Sequence, residues 1–335
     1  MEHAQLYTTE NFRFSLFFDL PLDKQEDILF QLDYPSIKNL CRASVFSKHP
    51  GAILFVQKLI NGRNFWKEKL KRDFPQLYID SLKEITSSKN TVRFWRCEYK
   101  RGLDTLSEKV IDVAATGDPI EIQRLKDMGV KMTYRNSEGY TALMTASFGG
   151  HLEIVKVLCR DEDVDLEVVD IYGYTALIEA AKGKNPDIIR FLLECGADPN
   201  ASTNSGATAL MWSSYLGCLD SVQLLLNYGA DIEFKSKCGY TALMQASKWC
   251  RLDILETLLR NGAKLDTQNN YSYTALILAS RQGCAEIVKM LLEWGADKTI
   301  NQYDPNNQTA FECASRWGHT EIVKMLEDEN ETNNS

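Results

Sequence analysis

The histidines are the first residues to consider as catalytic groups, and there are four: His3, His49, His151 and His319. None has a serine or cysteine arranged to act as its nucleophile. The sequence also lacks the glycine-rich patterns that bind phosphates or dinucleotides. His151 and His319 each precede a predicted helix, where a structural role is expected. We therefore predict no catalytic residue and no cofactor, and a chain that binds rather than catalyses.

The nine cysteines are the next residues that could bind a metal or form disulfides. Their number is odd, and no pair has the spacing of a metal site. Most lie inside the repeating part of the sequence, at Cys159, Cys195, Cys218, Cys284 and Cys313. This distribution is typical of reduced thiols in an intracellular protein. We therefore expect neither a bound metal nor a structural disulfide.

A four-residue pattern that starts with threonine sets the organisation of the chain. It begins at Thr141, Thr175, Thr208, Thr241, Thr274 and Thr309, with spacings of 34, 33, 33, 33 and 35 residues. In the copy at Thr241, the preceding glycine offers a turn and the threonine is a plausible N-cap of a short helix. A second helix over 253–260 has one apolar face, and Gly262 follows it as a predicted C-cap. The period predicts a stack of helix pairs.

These features resemble the ankyrin repeat. The resemblance rests on the six tetrads, the small residues after each of them, and the endings at 196–198, 229–231 and 295–297, which all read Gly-Ala-Asp. The family usually has Thr-Pro-Leu-His, whereas every copy here has alanine in place of proline and no histidine at the fourth position. The resemblance implies an all-α solenoid of helix pairs with β-hairpin loops, in which stability depends more on apolar packing.

Ankyrin-type arrays bind partners on the concave face that their first helices form. The position seven residues after each threonine should line that groove, and the positions four and eight after it should add large side chains. We call the resulting set the groove residues. They are Phe148, Lys182, Trp212, Tyr215, Lys248, Trp249, Leu278, Arg281, Arg316 and Trp317. Cations among aromatics suit an acidic or aromatic-bearing protein target. The alternative is that these positions are simply solvated.

A tyrosine precedes the threonine in four repeats, at Tyr140, Tyr174, Tyr240 and Tyr273. These side chains could form a contact stripe along the hairpins. The favoured alternative is that each stacks on the adjacent hairpin and replaces packing lost with the proline and histidine.

The formal net charge of −8 argues against general binding of nucleic acid or anionic membranes. No apolar run reaches the length of a membrane helix, and the start of the sequence lacks the pattern of a secretion signal. We expect an intracellular monomer, cytoplasmic or nuclear.

The N-terminal part predicts two short helices. Pro21 presets the start of the first, and Ile28, Leu29 and Leu32 share one face of it. A break at Pro35 separates a second apolar stripe at Ile37 and Leu40.

This segment, over about 18–48, resembles the F-box, which docks substrate receptors on the adaptor of cullin–RING (SCF-type) ubiquitin ligases. The matching positions are Leu20, Pro21, Ile28, Leu29, Leu32, Pro35, Ile37 and Leu40, and the resemblance implies that they contact that adaptor. Lys24 stands where the family usually has an aliphatic residue, and the end of the motif is blurred at 43–46. The alternative is a plain helical hairpin. The order of F-box and ankyrin array resembles proteins of large DNA viruses that redirect host ubiquitination.

We predict six segments: a flexible N-terminus over 1–15, F-box-like helices over 16–50, a helical connector over 51–103, a degenerate capping repeat over 104–135, six repeats over 136–327 and a disordered tail over 328–335. The connector carries basic and aromatic residues, which would suit nucleic acid. The acidic residues among them favour the alternative, a pair of amphipathic helices that supports the F-box-like segment on the repeats. The function predicted is a substrate-receptor adaptor of an SCF-type ligase, and the alternative is a stand-alone scaffold or inhibitor.

Overall fold

The computed structural model describes residues 69, 71–72, 92–161, 163–296, 303–304 and 308–333, with the backbone alone at 92–99 and 330–333. The predicted N-terminus, the F-box-like segment with its eight docking positions and most of the connector lie outside these residues. The chain divides into two compact units. One comprises residues 1–110 and 120–134, and the other comprises 111–119 and 135–335.

Within the first unit, the described residues come mainly from two helices, α1 (Val92–Thr116) and α2 (Pro119–Asp127), whose remaining residues belong to the second unit. Most of the apolar side chains of this part of the unit are buried, whereas Ile120 is exposed. The buried set is Leu103, Val110, Ile122, Leu125, Val130 and Met132. Helix α2 ends where Gly129 adopts a left-handed conformation and the Val130 amide donates to the Leu125 carbonyl. Helix α1 begins within the predicted connector, 51–103, and α2 lies within the segment predicted as a degenerate repeat, 104–135.

The second unit contains six helix pairs within the described residues. The first helices are α3 (Ala142–Gly149), α5 (Ala176–Lys182), α7 (Ala209–Leu216), α9 (Ala242–Lys248), α11 (Ala275–Gln282) and α13 (Ala310–Trp317). The second helices are α4 (Leu152–Cys159), α6 (Pro186–Glu194), α8 (Leu219–Asn227), α10 (Leu252–Arg260), α12 (Ala285–Glu293) and α14 (Thr320–Asn333). Extended pairing in the described residues is limited to two isolated bridges, Arg135 with Thr141 and Ser202 with Thr208. The predicted all-α repeat fold is confirmed.

Each first helix begins at the tetrad threonine, as predicted for Thr241. The threonine backbone is extended, and its hydroxyl accepts a hydrogen bond from the amide three residues later, at 3.3 Å in Thr241. The same cap occurs in all six repeats. In the last, Glu312 also accepts from the Thr309 amide, which completes a capping box.

The second helices bury one apolar face. In α10, Ile254, Leu255, Leu258 and Leu259 are at most 4% exposed, which confirms the predicted stripe. Gly262 then adopts a φ of 88°, so glycine is required where the chain turns away. Helix α4 lacks that glycine and is followed by Arg160 in a right-handed conformation.

The last helix corrects the predicted tail. Helix α14 runs to Asn333, past the end predicted at residue 327. Ile322 and Leu326 anchor it in the core, and the glutamates beyond them have good helix propensity, so the helix continues into the acidic segment.

Neighbouring repeats stack helix on helix: first helices pack against first helices and second helices against second helices. The turns before the first helices are joined by backbone hydrogen bonds. The Ile171 amide donates to the Glu138 carbonyl at 2.8 Å, and the Lys237 amide donates to the Ser205 carbonyl at 2.9 Å. The period of the sequence thus becomes a regular register in which equivalent positions adjoin.

Candidate partner-binding surface

A polar side chain five residues before each threonine shapes the turn that presents the groove. Asn136 Oδ1 accepts hydrogen bonds from the amides of Glu138 and Tyr140, at 3.0 and 2.8 Å. Asp170 and Asn269 make the same pair of contacts in their turns. Thr203, Ser236 and Asp304 each accept from the amide four residues on. These bonds fix the residue before the threonine, which is tyrosine in four repeats.

An aromatic cluster crosses the middle of the array. Tyr174 and Trp212 have ring centroids 6.2 Å apart, Trp212 and Tyr215 are 5.7 Å apart, and Tyr215 meets Trp249 edge to face at 4.8 Å. Three successive first helices or their turns contribute to it. Contacts of this kind stabilise aromatic pairs beyond simple burial. We call these four side chains the aromatic cluster.

Lys182 lies at one end of the aromatic cluster and is already engaged. Its ammonium is 4.0 Å from the ring centroid of Tyr174, 5.8 Å from that of Phe148 and 5.9 Å from that of Trp212. It also forms an ion pair of 2.8 Å with Glu179, whose side chain is only 2% exposed. The charge predicted to face a target is therefore neutralised within the protein.

Glu179 is a buried carboxylate beside the aromatic cluster. One carboxylate oxygen receives the Lys182 ammonium, and the other is buried. Burial raises the pKa of the Tyr140 hydroxyl, and the charge of Glu179 raises it further. Trp212 Nε1 is also buried without a partner.

The other three cations contact the residue that precedes their own threonine. Lys248 lies 5.5 Å from the Tyr240 ring centroid and 5.8 Å from that of Trp249. Arg281 donates to the Tyr273 hydroxyl at 2.8 Å, and Arg316 donates to Gln308 at 3.1 Å.

These three cations differ from Lys182, which has a carboxylate partner. Within the described part of the chain, none of Lys248, Arg281 and Arg316 forms an ion pair. Their side chains are held in place by aromatic and amide groups.

The remaining groove residues differ in exposure. Phe148 and Trp317 are exposed, at 50% and 59%. Leu278 is 3% exposed, so its predicted place in the groove is corrected. The position four after the threonine is also buried in Glu179 and Cys313, whereas the larger indole of Trp212 reaches partly out. We leave Leu278 out of the proposed contact surface.

The tyrosines before the threonines combine features of the two alternatives. Tyr140, Tyr174, Tyr240 and Tyr273 are half-buried. Tyr174, Tyr240 and Tyr273 lie against the cation of their own repeat, and Tyr174 also contacts Trp212 of the next one. They therefore orient the cations and extend the aromatic surface.

The two repeat histidines make structural contacts. His151 Nε2 is 3.2 Å from the Ala115 carbonyl oxygen, and His319 Nε2 is 3.3 Å from that of Arg281. Each thus joins its repeat to the preceding segment. His3 and His49 lie outside the described residues.

The cysteines correct one expectation. Cys250 and Cys284 form a disulfide, although reduced thiols were predicted. Cys159, Cys195, Cys218, Cys238 and Cys313 are free thiols. The described residues contain no group of three or more side chains placed to hold a metal ion.

Two features of the surface were missed in the sequence. A polar residue precedes every tetrad threonine by five positions, and this was a readable signal for a hydrogen-bonded turn. Glu179 gave a weaker signal, since a carboxylate three residues before Lys182 suggests only an ordinary helical ion pair.

A sequence model of known proteins matches this array. The model described as ankyrin repeats (3 copies) matches residues 111–203, 162–236, 195–269 and 266–335. These matches cover more than half of the chain, and the chain belongs to the ankyrin-repeat family. Such repeats indicate a protein-interaction scaffold, and the match is to no catalytic family. No curated protein matches the chain.

No helix among the described residues has both the length and the apolar content needed to cross a membrane.

Proposed function

We propose that this chain captures a protein target through the surface of its first helices, and that the target segment is acidic and carries an aromatic or other large apolar side chain. The observation that carries the proposal is the run of Lys248, Arg281 and Arg316 next to the aromatic cluster, three cations that form no ion pair with any residue the structure describes.

The charges support an acidic target. The protein has a formal net charge of −8, so a positive run is unusual on its surface and would steer a negatively charged segment to this site. Binding would supply the carboxylates that the three cations lack.

The aromatic cluster supports an apolar anchor in the same target. Trp249 is 43% exposed and lies between Tyr215 and the Lys248 ammonium. Tryptophan and arginine are the residues most often found as interface hot spots. An apolar side chain of the target would pack on Trp249 while its acidic neighbours meet the cations.

A second and more specific proposal concerns the N-terminal segment. The apolar pattern from Leu20 to Leu40 would dock on the adaptor of an SCF-type ubiquitin ligase, which makes the chain a substrate receptor. The receptor performs no covalent chemistry itself. It would act by holding target lysines close to the conjugating enzyme, which raises their effective concentration.

Charge reversal tests the binding surface. In the full-length chain, Lys248→Glu, Arg281→Glu and Arg316→Glu are combined, and binding of a synthetic peptide with acidic residues around a tryptophan is measured by fluorescence anisotropy. The matched control combines Arg190→Glu, Lys289→Glu and Lys324→Glu, which make the same change in net charge at exposed second-helix positions. We expect the first variant to lose binding, the control to keep it, and both to keep the helical circular dichroism of the wild type.

Equal binding by the two variants would contradict the proposed surface. Failure of the full-length chain to bind the purified ligase adaptor would instead contradict the ligase proposal. The chain would then be a stand-alone scaffold or inhibitor.

A further inference from the structure

A left-handed residue follows every first helix, nine positions after the tetrad threonine. Glycine occupies it in four repeats, and Lys184 and Cys250 occupy it in the other two, with φ of 59° and 52°. The complete set is Gly150, Lys184, Gly217, Cys250, Gly283 and Gly318. Because side chains rarely adopt this conformation, the two exceptions require an explanation.

The residue at this position faces the start of the second helix in the next repeat. A Cβ added to Gly150 would lie 2.9 Å from Asn185 Oδ1, and one added to Gly283 would lie 2.7 Å from His319 Cε1. A glycine here therefore leaves the space that a large facing side chain fills.

Those facing side chains join the repeats. Asn185 donates to the Ser147 and Phe148 carbonyls, and Arg251 donates to the Tyr215 carbonyl. Each contact links the start of a second helix to the end of the first helix in the preceding repeat.

Cysteine replaces the large facing residue at the two junctions where the glycine is absent. One repeat after Lys184 stands Cys218, and one repeat after Cys250 stands Cys284. Burial raises the pKa of Cys218, and the nearby charge of Lys184 opposes that rise. At the second junction, two cysteines face each other with Cα atoms 5.5 Å apart, a separation that suits a disulfide.

We propose that Cys250 and Cys284 are a reversible oxidation site that cross-links the fourth repeat to the fifth. The oxidant would be a low-molecular-weight disulfide such as glutathione disulfide. Cys250 is exposed and Cys284 is 6% exposed, so Cys250 is the thiol that an oxidant meets first.

The oxidation proceeds by two thiol–disulfide exchanges. The Cys250 thiolate attacks one sulfur of glutathione disulfide, forms a mixed disulfide and releases one glutathione thiolate. The Cys284 thiolate then attacks the Cys250 sulfur and releases the second. The two protein thiols are oxidised by two electrons, one small disulfide is reduced to two thiols, and the two protons pass to the released thiolates.

A second pair of cysteines provides a contrast. Burial and, to a lesser extent, the adjacent Cys195 thiol raise the pKa of the Cys159 thiol to about 12. The thiolate of Cys159 is therefore scarce at neutral pH, and both thiols are free.

The cross-link lies within the proposed binding surface. Lys248 and Trp249 directly precede Cys250, and Arg281 lies three residues before Cys284. Oxidation therefore fixes the aromatic cluster relative to the cation of the next repeat. This consequence for binding rests on the proposed function, whereas the cross-link itself does not.

The test uses the full-length chain after incubation with glutathione disulfide or with dithiothreitol. We expect non-reducing peptide mapping to find the Cys250–Cys284 link only after oxidation, and dithiothreitol to remove it. The oxidised form should unfold about 5 °C higher than the reduced form, because the bond closes a loop that the unfolded chain would otherwise leave open.

Two variants distinguish the effect of the disulfide on stability from the effect of the local backbone conformation. Cys250→Gly places the residue of the other junctions at this left-handed position, so it removes the bond without adding strain. It should fold and show no difference between oxidising and reducing conditions. Cys159→Ser should keep the full difference.

Absence of the link after oxidation would overturn the proposal, as would equal unfolding temperatures for the two wild-type forms or a persistent difference in Cys250→Gly. None of these readouts involves a binding partner, so they decide the oxidation site even if the acidic peptide fails to bind.

Discussion

The indole of Trp249 meets the ring of Tyr215 edge to face, with 4.8 Å between centroids and 80° between the ring planes. The two residues come from successive first helices, so this contact joins two repeats on the proposed binding surface. Trp249 is nevertheless 43% exposed, so a partner can still contact the indole. The tyrosine thus orients the indole before any target arrives, which lowers the entropy lost on binding.

Replacing Trp249 with alanine should weaken binding of the acidic, tryptophan-containing peptide by about 30-fold, the loss typical of an interface hot spot. The cost in stability should stay near 1 kcal/mol, since the folded protein loses one edge-to-face contact with Tyr215 and one exposed contact with the Lys248 ammonium. Fluorescence anisotropy and urea unfolding measure the two effects. Trp294→Ala is the control, because Trp294 is equally exposed, at 44%, but follows a second helix. Equal loss of binding in both variants would contradict the assigned surface.

Replacing Lys182 with methionine should destabilise the fold more than replacing Glu179 with glutamine. The methionine leaves a carboxylate that is 2% exposed without its cation, which costs about 3 kcal/mol. The glutamine leaves an ammonium that is 26% exposed and can be hydrated. The double variant should recover part of the loss, and urea unfolding of all four proteins completes the cycle.

The pair Glu153–Lys156 is the matched control for that cycle. It has the same spacing and the same 2.8 Å distance, but its side chains are 68% and 34% exposed. Lys156→Met should therefore cost under about 1 kcal/mol. Equal costs at the two sites would show that burial of Glu179 is unimportant.

Cys159 should make the folded protein less stable at alkaline pH. Burial raises the pKa of this thiol from 9.0 to about 12 in the folded state. Between these values the unfolded chain has released the proton and the folded chain has kept it, so the free energy of unfolding falls as pH rises from about 9 towards 12. In Cys159→Ala the fall should be shallower. The measurement is urea unfolding from pH 8 to 11 with a reductant, and an unchanged slope would contradict the burial of the thiol.

The docking proposal predicts opposite effects from two changes in one predicted helix. Ile28→Asp should abolish capture of the purified ligase adaptor by the full-length chain, because it places a charge on the apolar face. Lys24→Leu should strengthen capture, since it supplies the aliphatic residue usual at that position of the F-box. Affinity is measured by surface plasmon resonance, with Lys109→Leu as a control at an exposed position outside the F-box-like segment. If Ile28→Asp binds as well as the wild type, the F-box interpretation is wrong.

The repeating features of the fold could be predicted from the sequence because a fixed period turns one copy into six. The caps from Thr141 to Thr309, the stripe at Ile254 and Leu258, and the glycine at Gly262 all follow from spacing and residue type. The same period predicted the order of the groove residues along the array.

The period could not predict the neighbours of individual side chains. The position four after the threonine holds glutamate in one repeat, tryptophan in another and leucine in a third, so its environment differs each time. This is why Leu278 was misplaced and why neutralisation of Lys182 by Glu179 was missed. The disulfide was missed because Cys250 and Cys284 occupy two different positions of the repeat, which meet only across a junction.

The turns before the first helices contain one exposed position at which the sequence can vary between related chains. Most of the bonds in these turns come from the backbone and from the polar residue five before the threonine. The exposed side chain two residues further on contributes less to the turn, although the Ser205 hydroxyl bonds with that of Thr203 at 2.9 Å. That position carries Glu138, Tyr172, Ser205, Cys238 and Tyr271 in successive repeats. A randomised library built at these five sites should keep its thermal stability while sampling new specificities, and related genes can drift there at little cost to folding.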